Sequence, residues 1–588
     1  MQNKSEKRNC QNCKKDFIVE SEDFSFYEKI KVPPPTFCPL CRVERRMAYG
    51  NERKLFKAKD FFTGNEIFSL YPPESNKKVS LEKEWFKDNW NDLASGVDYD
   101  FSKNFFEQFF KLEKDAPVFC QRTQFMINSP YCANASGLKN CYLCFNSNYS
   151  ENSMYGNATD QSKDCVDNSH ISHSERCYES FWCQNCYQCY FTTMSSDSRN
   201  LWFCRNCISC NDCFGCVNLR NASYQIFNKQ YTKEEYQEKI EKFHLYTISG
   251  LKKIREVARS FWNTQPVKYH QGIKNLNSYG SYVTNSKNVK DSYLIREGEN
   301  IKYSQYLQVP KNKDCYDATT WGENMEMHYE TCISGGNTYN LKFCIDCWPN
   351  SKNLEYCLST FSSSDCFGCI GLKKRQYCIF NKQYTKEEYY KMVEKIKKHM
   401  NDFPYVDEKG RIYKYGEFFP IKFSPFGYNN SRAVQFFNMT KEKAKENGYP
   451  WIEVKKGEYK ITKKASELSD SITDVDESII KEVIECEKCK RPYRILADEF
   501  VFYKRENLPL PVICNDCRFE RRIADRMKIE LFERRCMCGG KKDINGKYIN
   551  TVKHDHGESS CPEIFKTGYN PESNNIVYCE SCYQKEVY

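Results

Sequence analysis

From residue 129 to residue 216, small, aromatic and polar residues each keep their own register with a period of 12. Every twelfth residue from Ser129 reads Cys141, Ser153, Cys165, Cys177, Cys189, Leu201 and Cys213. The neighbouring column reads Pro130, Tyr142, Met154, Val166, Tyr178, Tyr190, Trp202 and Phe214, and a third runs Ser150, Ser162, Ser174, Cys186, Ser198 and Cys210. A short fixed period with small residues in register predicts a solenoid, because a coil that cannot bury its own face must stack on the next. A helix pair needs roughly thirty residues per repeat, so the period predicts a narrow β-solenoid of about 12 residues per coil, or about 24 if two repeats close one coil. Ser and Cys suit its cramped interior, and the aromatics stack outside or between sheets.

The pattern occurs twice. Cys213-Phe214-Gly215-Cys216 returns as Cys366-Phe367-Gly368-Cys369, and 19 of the 31 positions from each first cysteine are identical without a gap. The second stack is looser: Cys315, His328, Leu341, Leu354 and Cys366 are spaced 13, 13, 13 and 12. Each copy ends in Asn-Lys-Gln-Tyr-Thr-Lys-Glu-Glu-Tyr, where Thr232 with Glu235 and Thr385 with Glu388 form capping boxes. Tyr236, Ile240 and Phe243, and likewise Tyr389, Val393 and Ile396, then recur at helical spacing. An amphipathic helix therefore covers each open end.

Outside the stacks, Phe105, Phe106, Phe109 and Phe110 share one helical face, which predicts packing against a repeat ahead of a base-stacking platform. Residues 250–270 read as helix, a short helix runs from Thr440 to Asn447, and 455–480 reads as a polar linker. The expected architecture is mixed and β-rich: a tandem duplicated narrow β-solenoid with capping helices, flanked by zinc-ribbon-like modules at both ends. Its divisions are 1–54 (first module), 55–125 (aromatic connector), 126–270 and 271–402 (the two solenoids with their caps), 403–480 (connector and linker), 481–530 (second module) and 531–588 (cysteine-rich tail).

Cys10-x2-Cys13 is followed 24 residues later by Cys38-x2-Cys41, and Cys486-x2-Cys489 is followed by Cys514-x2-Cys517 at the same interval. Two thiolate pairs supply the tetrahedral set that zinc prefers. More than cysteine matches: Phe24, Phe26 and Tyr27 correspond to Phe500, Phe502 and Tyr503, and Pro33 and Pro35 to Pro509 and Pro511. After each second knuckle, Arg42, Arg45 and Arg46, and Arg518, Arg521 and Arg522, share a face if the segment is helical. Such a face suits phosphates, hence RNA, DNA or the ribosome. It equally suits a solvated helix that pairs its arginines with Glu44 and Glu520. The pattern CxxCKxxF…FYxKxxxPPPxxCPxCRxxRR resembles small bacterial zinc-ribbon domains with a CxxC…CR signature. The whole layout resembles large cysteine- and tyrosine-rich proteins of candidate-phylum bacteria. That resemblance implies zinc binding and assigns no activity.

The tail carries Cys536-x-Cys538, His554, His556, Cys561 and Cys579-x2-Cys582. The end pairs favour Cys536, Cys538, Cys579 and Cys582 as a third zinc set, with His554, His556 and Cys561 as competing ligands. The expected load is about three zinc ions. The run Cys204, Cys207, Cys210, Cys213 and Cys216 suggests an iron–sulfur site. The duplication speaks against it, since Cys207 and Cys210 become Thr360 and Ser363 in the second copy. Packing thiols are the favoured reading, ahead of a metal and of disulfides.

Composition adds limits. The chain has 588 residues, 35 cysteines and a net charge of +10, which permits an anionic partner without demanding one. No apolar run approaches the roughly 20 residues of a membrane span. The polar start MQNKSEKRNC has no apolar signal region, so the expectation is a soluble, cytoplasmic protein. No nucleotide-binding, zinc-protease or serine-hydrolase motif occurs. Asp164, Asp167, Glu175 and Glu179 could serve as glycosidase-like acids on a coil surface, although a solvated face is the commoner origin of such a set. The sequence thus predicts a non-enzymatic scaffold that binds nucleic acid through its modules or assembles proteins along its solenoid.

Overall fold

The computed structural model describes residues 4–453 and 459–588. In the first stack, parallel bridges join residue i to residue i+12 throughout, from Ile127 with Lys139 to Ile208 with Arg220. One coil is therefore 12 residues. Within it runs a second period, of three: from Asn134 to Phe227 every third residue has a φ near +50° or +60°. Four such left-handed corners close each coil into a four-sided tube.

Each triplet divides its work. The first residue pairs with the next coil, the second turns the corner, and the third points inward. The inward N–H has no partner in the strand ladder, so the inward side chain one coil back accepts it. Ser129 Oγ takes the N–H of Cys141 at 2.9 Å and Ser174 Oγ that of Cys186 at 3.1 Å. The same inward groups donate to carbonyls: Cys141 Sγ lies 3.4 Å from both Lys139 O and Ser150 O. Ser, Thr and Cys are small and carry both a donor and an acceptor, which a buried backbone requires. Outward corners favour Asn and Asp, which tolerate the left-handed region better than most residues. Their side chains also stack, as in Asn128 to Asn140 to Asn152 to Asp164 at 3.0–3.2 Å per step. Gly215 is a corner too, at φ +66°, and an added Cβ would lie 2.3 Å from the Phe227 ring one coil on.

The second stack uses the same construction with wider coils. Cys315 pairs with His328 and Leu341 with Leu354, 13 residues apart, before the register returns to 12 at Leu354 with Cys366. His328 replaces an inward cysteine and is held between Thr331 Oγ1 and Thr338 Oγ1. Burial pushes its pKa to about 3, so it sits there neutral. Both stacks end alike. Asn228 and Asn381 hold the N–H and C=O of Val217 and Ile370, a two-residue hairpin turns back, and the capped helices Lys233–Glu241 and Lys386–Asp402 follow. The stacks touch side by side, with Trp182 4.7 Å from Tyr282 between ring centroids.

The aromatic helix Phe105–Asp115 buries Phe105, Phe106, Phe109 and Phe110, and it packs against Tyr356, Phe367 and Phe380 of the second stack. The segment 455–480 is only partly a linker. Residues 455–458 lie outside the described residues, while Ile472 and Ile479 farther on are buried beneath the second module.

Candidate metal centres and the arginine docks

Each module begins with a hairpin whose turn holds a knuckle. In the first, Glu6–Asn9 pairs with Asp16–Val19, and Lys14 takes a φ of +60°. The second knuckle opens a helix, with Cys38 at the N-cap of Pro39–Met47 and Cys514 at that of Asn515–Ile523. The cap N–H donates back to the first cysteine, from Cys38 to Cys10 Sγ at 3.2 Å and from Cys514 to Cys486 Sγ at 3.3 Å. These donors suit a thiolate. The four Sγ atoms of Cys10, Cys13, Cys38 and Cys41 lie within 4.8 Å of one another, as do those of Cys486, Cys489, Cys514 and Cys517. Individual separations are 3.7 Å for Cys13 with Cys38 and 3.8 Å for Cys486 with Cys517. A tetrahedral zinc with bonds of about 2.3 Å spaces its sulfurs about 3.8 Å apart, so the thiols fit the ion.

The tail requires a correction. Cys536, Cys538, Cys579 and Cys582 are not one set. Cys536 and Cys579 converge with Cys561 and Cys582, whereas Cys538 converges with His554, His556 and Cys582. The cause is local: Cys538 lies two residues beyond Cys536 at the end of the hairpin strand Phe532–Arg535, and the chain turns there toward 554–556. Cys579 again caps a helix, Glu580–Val587, and its N–H reaches Cys536 Sγ at 3.2 Å. Sequence spacing could not rank Cys561, which is brought in by Cys561 N–H to Cys538 O at 2.8 Å.

Sequence reading missed a fourth ribbon that carries no cysteine. Phe56–Lys59 pairs with Glu66–Ser69 around Asp60, and Gly64 takes the positive φ. Asp60 Oδ2 accepts the N–H of Leu81, the N-cap of Glu82–Trp85, at 2.7 Å, as Cys10 Sγ accepts that of Cys38. Burial raises the carboxyl's pKa, but the Leu81 N–H, the Ser80 hydroxyl and the N–H groups of Thr63 and Phe62 together hold it below the ordinary value. A carboxylate here does by hydrogen bonding what thiolate and metal can do in the other modules.

The arginine faces also need correcting. They are not solvent-facing, and they do not pair with Glu44 or Glu520. Glu44 is buried under the Tyr428 hydroxyl at 2.7 Å, and Glu520 pairs with Lys488 at 2.9 Å. The first module lies on the second stack. There Asp317 accepts from Arg42 Nε at 3.0 Å and from Arg46 Nη1 at 2.9 Å. Glu330 joins Arg45 at 2.7 Å and Arg46 at 3.0 Å, and Glu417 takes the other side of Arg45 at 3.0 Å. The second module lies on the first stack. Asp167 accepts from Arg518 at 2.6 Å and Arg522 at 3.0 Å, while Glu179 meets Arg521 and Arg255. All of these arginines are buried except Arg521 and Arg255, which are half-buried. Burial raises the Glu330 and Glu499 carboxyls despite their arginine neighbours. For Glu179 burial acts in the same direction, but Arg521 and Arg255 outweigh it and hold the carboxyl at about 2. Asp167 and Glu179, two of the four acids considered for catalysis, are thus buried counter-charges.

The ladder cysteines do not gather as ligand sets among the described residues, and all 35 cysteines are free of disulfides. No helix among the described residues is long and apolar enough to cross a membrane. A cavity of about 800 Å³ between the first module and the second stack is lined by Glu22, Lys290 and Lys302. Glu22 pairs with both of these lysines, at 3.0 Å from Lys290 and 3.0 Å from Lys302.

Fold and sites define a cysteine-rich β-solenoid protein with four clusters able to hold metal ions. No family model and no curated protein matches the chain. A solved structure described as a putative acetyltransferase from Desulfovibrio desulfuricans G20 aligns over 49% of this chain and 86% of its own, at 9% identity and a TM-score of 0.10. At that score the likeness carries no argument.

Proposed function

We propose that the chain is a non-enzymatic, zinc-stabilised scaffold in a reducing compartment, the cytoplasm, that assembles proteins on its solenoid. The observation that carries this reading is the pair of docks. Each all-cysteine module turns three arginines onto carboxylates of a solenoid coil, and a four-thiolate zinc site has no open position for chemistry. Zinc, on this reading, fixes the module, and the module fixes the coil. The interior thiols donate hydrogen bonds as S–H groups, which fits a compartment that keeps them reduced.

The nucleic-acid or ribosome reading rested on six arginines that buried or half-buried ion pairs already occupy. A protein partner is favoured by the open edge of the first stack. Phe125 and Ile127 on its first coil are 80% and 60% exposed, and Tyr149 two coils farther on is 64% exposed. The test is affinity capture of the full chain after nuclease treatment, with Phe125→Asp/Ile127→Asp as the control variant. The expected result is a protein partner retained by the wild type and lost by the variant. Recovery of nucleic acid alone, with steep salt dependence, would overturn the protein reading.

A further inference from the structure

We infer that the two convergent groups of the tail form one dinuclear metal centre, with the Cys582 thiolate bridging an ion held by Cys536, Cys561 and Cys579 to an ion held by Cys538, His554 and His556. This deepens the zinc reading and rests on it. The juxtaposition is direct, since Cys582 Sγ belongs to both groups, and within each group the donor atoms lie within 4.8 Å of one another.

The histidines carry the argument furthest. His554 Nε2 is 2.8 Å from Glu586 Oε1, in a pair whose side chains are 1% and 0% exposed. That leaves Nδ1 free, and it faces Cys538 Sγ at 3.4 Å. His556 has the opposite arrangement: Nδ1 donates to Ser559 O at 2.7 Å, and Nε2 faces Cys582 Sγ at 3.3 Å. Each ring thus has its outer nitrogen anchored to an oxygen and its inner lone pair turned toward a sulfur. This is how metal-binding histidines are oriented by an outer carboxylate or carbonyl. Glu586 is itself fixed by the Tyr548 hydroxyl at 2.8 Å and the Thr551 N–H at 3.0 Å. For zinc–sulfur bonds of about 2.3 Å and zinc–nitrogen bonds of about 2.05 Å, tetrahedral geometry puts nitrogen and sulfur about 3.6 Å apart, close to both separations.

Charge points the same way. One divalent ion on four thiolates leaves two negative charges in a buried site. A second divalent ion, adding only the Cys538 thiolate and two neutral imidazoles, reduces that to one. The Asn550 amide donates to Cys538 Sγ at 3.2 Å, as suits a thiolate.

The test uses the full chain loaded with an NMR-active cadmium isotope, alongside native mass spectrometry of the zinc form. The expected result is four ions per chain, matching the four groups. Two cadmium resonances should split each other through the shared sulfur, one with an all-sulfur shift and one with a mixed sulfur–nitrogen shift. The double variant His554→Ala/His556→Ala should lose one ion and the splitting while the other three resonances stay. Three ions unaffected by that variant, or four without splitting, would overturn the dinuclear centre and leave the zinc scaffold standing. Absence of metal from the Cys10 and Cys486 modules would instead overturn the zinc reading itself.

Discussion

The two docks use the same module and solve the same electrostatic problem differently. Positions 10–46 and 486–522 superpose in sequence at a constant offset, so Arg42, Arg45 and Arg46 answer to Arg518, Arg521 and Arg522, and Asp23 to Glu499. In both docks one corner aspartate, Asp317 or Asp167, bridges the first and third arginines. The rest differs. Asp23 meets both Lys302 and the Tyr303 hydroxyl of the solenoid, whereas the longer Glu499 pairs with Arg518 of its own module and takes only the Tyr155 hydroxyl from the solenoid. The middle arginine is buried between Glu330 and Glu417 in one dock, and in the other shares Glu179 with Arg255 at a wetter edge. The shared part is thus the corner aspartate, and the surrounding charges adapt to whichever coil is available. Moreover the pairing is crossed: the N-terminal module clamps the second stack and the later module clamps the first, so the chain's ends lock each other's neighbours.

The largest expected effect is at the bridge. Asp317→Asn leaves buried Arg42 without a carboxylate partner and Arg46 with Glu330 alone, and removing one partner of such a pair costs ~3–5 kcal/mol. Chemical denaturation should show the loss, with Asp167→Asn close behind. An effect below about 1 kcal/mol at both sites would break the comparison. Next, Arg45→Met should cost several-fold more than Arg521→Met, for which screening at a half-exposed site leaves ~1 kcal/mol or less; equal losses would mean the burial difference is immaterial.

Acid should separate the docks further. The Glu179 carboxyl lies at about 2 in the folded protein against an ordinary 4.5. Its contribution is therefore complete above pH 4.5 and is lost as pH falls toward about 2. Burial raises the Glu330 carboxyl, so its protonation relieves buried charge and that dock gains stability as pH falls through the raised value toward 4.5. Comparing Glu179→Gln below pH 4.5, and Glu330→Gln above it, with the wild type should give differences of opposite slope. The smallest effect belongs to the ladder. Cys210→Ser, the residue the second stack carries at Ser363, keeps the same donor and acceptor and should change stability by about 1 kcal/mol or less, with metal content unchanged.

Much of this fold was legible because the 12-residue period of Ser and Cys is imposed by geometry. Most inward side chains of the first stack are small and serve the N–H one coil on, so composition repeats wherever the backbone does. The period of three was also visible, in Cys204, Cys207, Cys210, Cys213 and Cys216, but a three-residue cysteine spacing reads equally as a cluster motif. Only the left-handed corners between them show that the run is one full turn of the tube, with a cysteine pointing inward from each side. The arginines were misread because a helical face of three cations looks alike whether it meets phosphate or carboxylate. Their partners, such as Asp317 for Arg42, lie 275 residues away, where no local pattern reaches. The ribbon at Asp60 was invisible for the opposite reason: its signal was assumed to be cysteine. In the tail, spacing placed the end pairs but could not assign Cys538, since its partners come from a turn closed by Glu586 on the last helix.

On the proposed reading, metal-fixed modules hold the solenoid coils through buried arginines. Hydrogen exchange of the full chain, before and after metal removal by a chelator, tests this most directly. Loss of protection should concentrate where the modules dock, at residues 313–332 of the second stack and 165–182 of the first, with the ladder around Cys204 to Cys216 spared. Protection unchanged at both docks after the metal has left would contradict it.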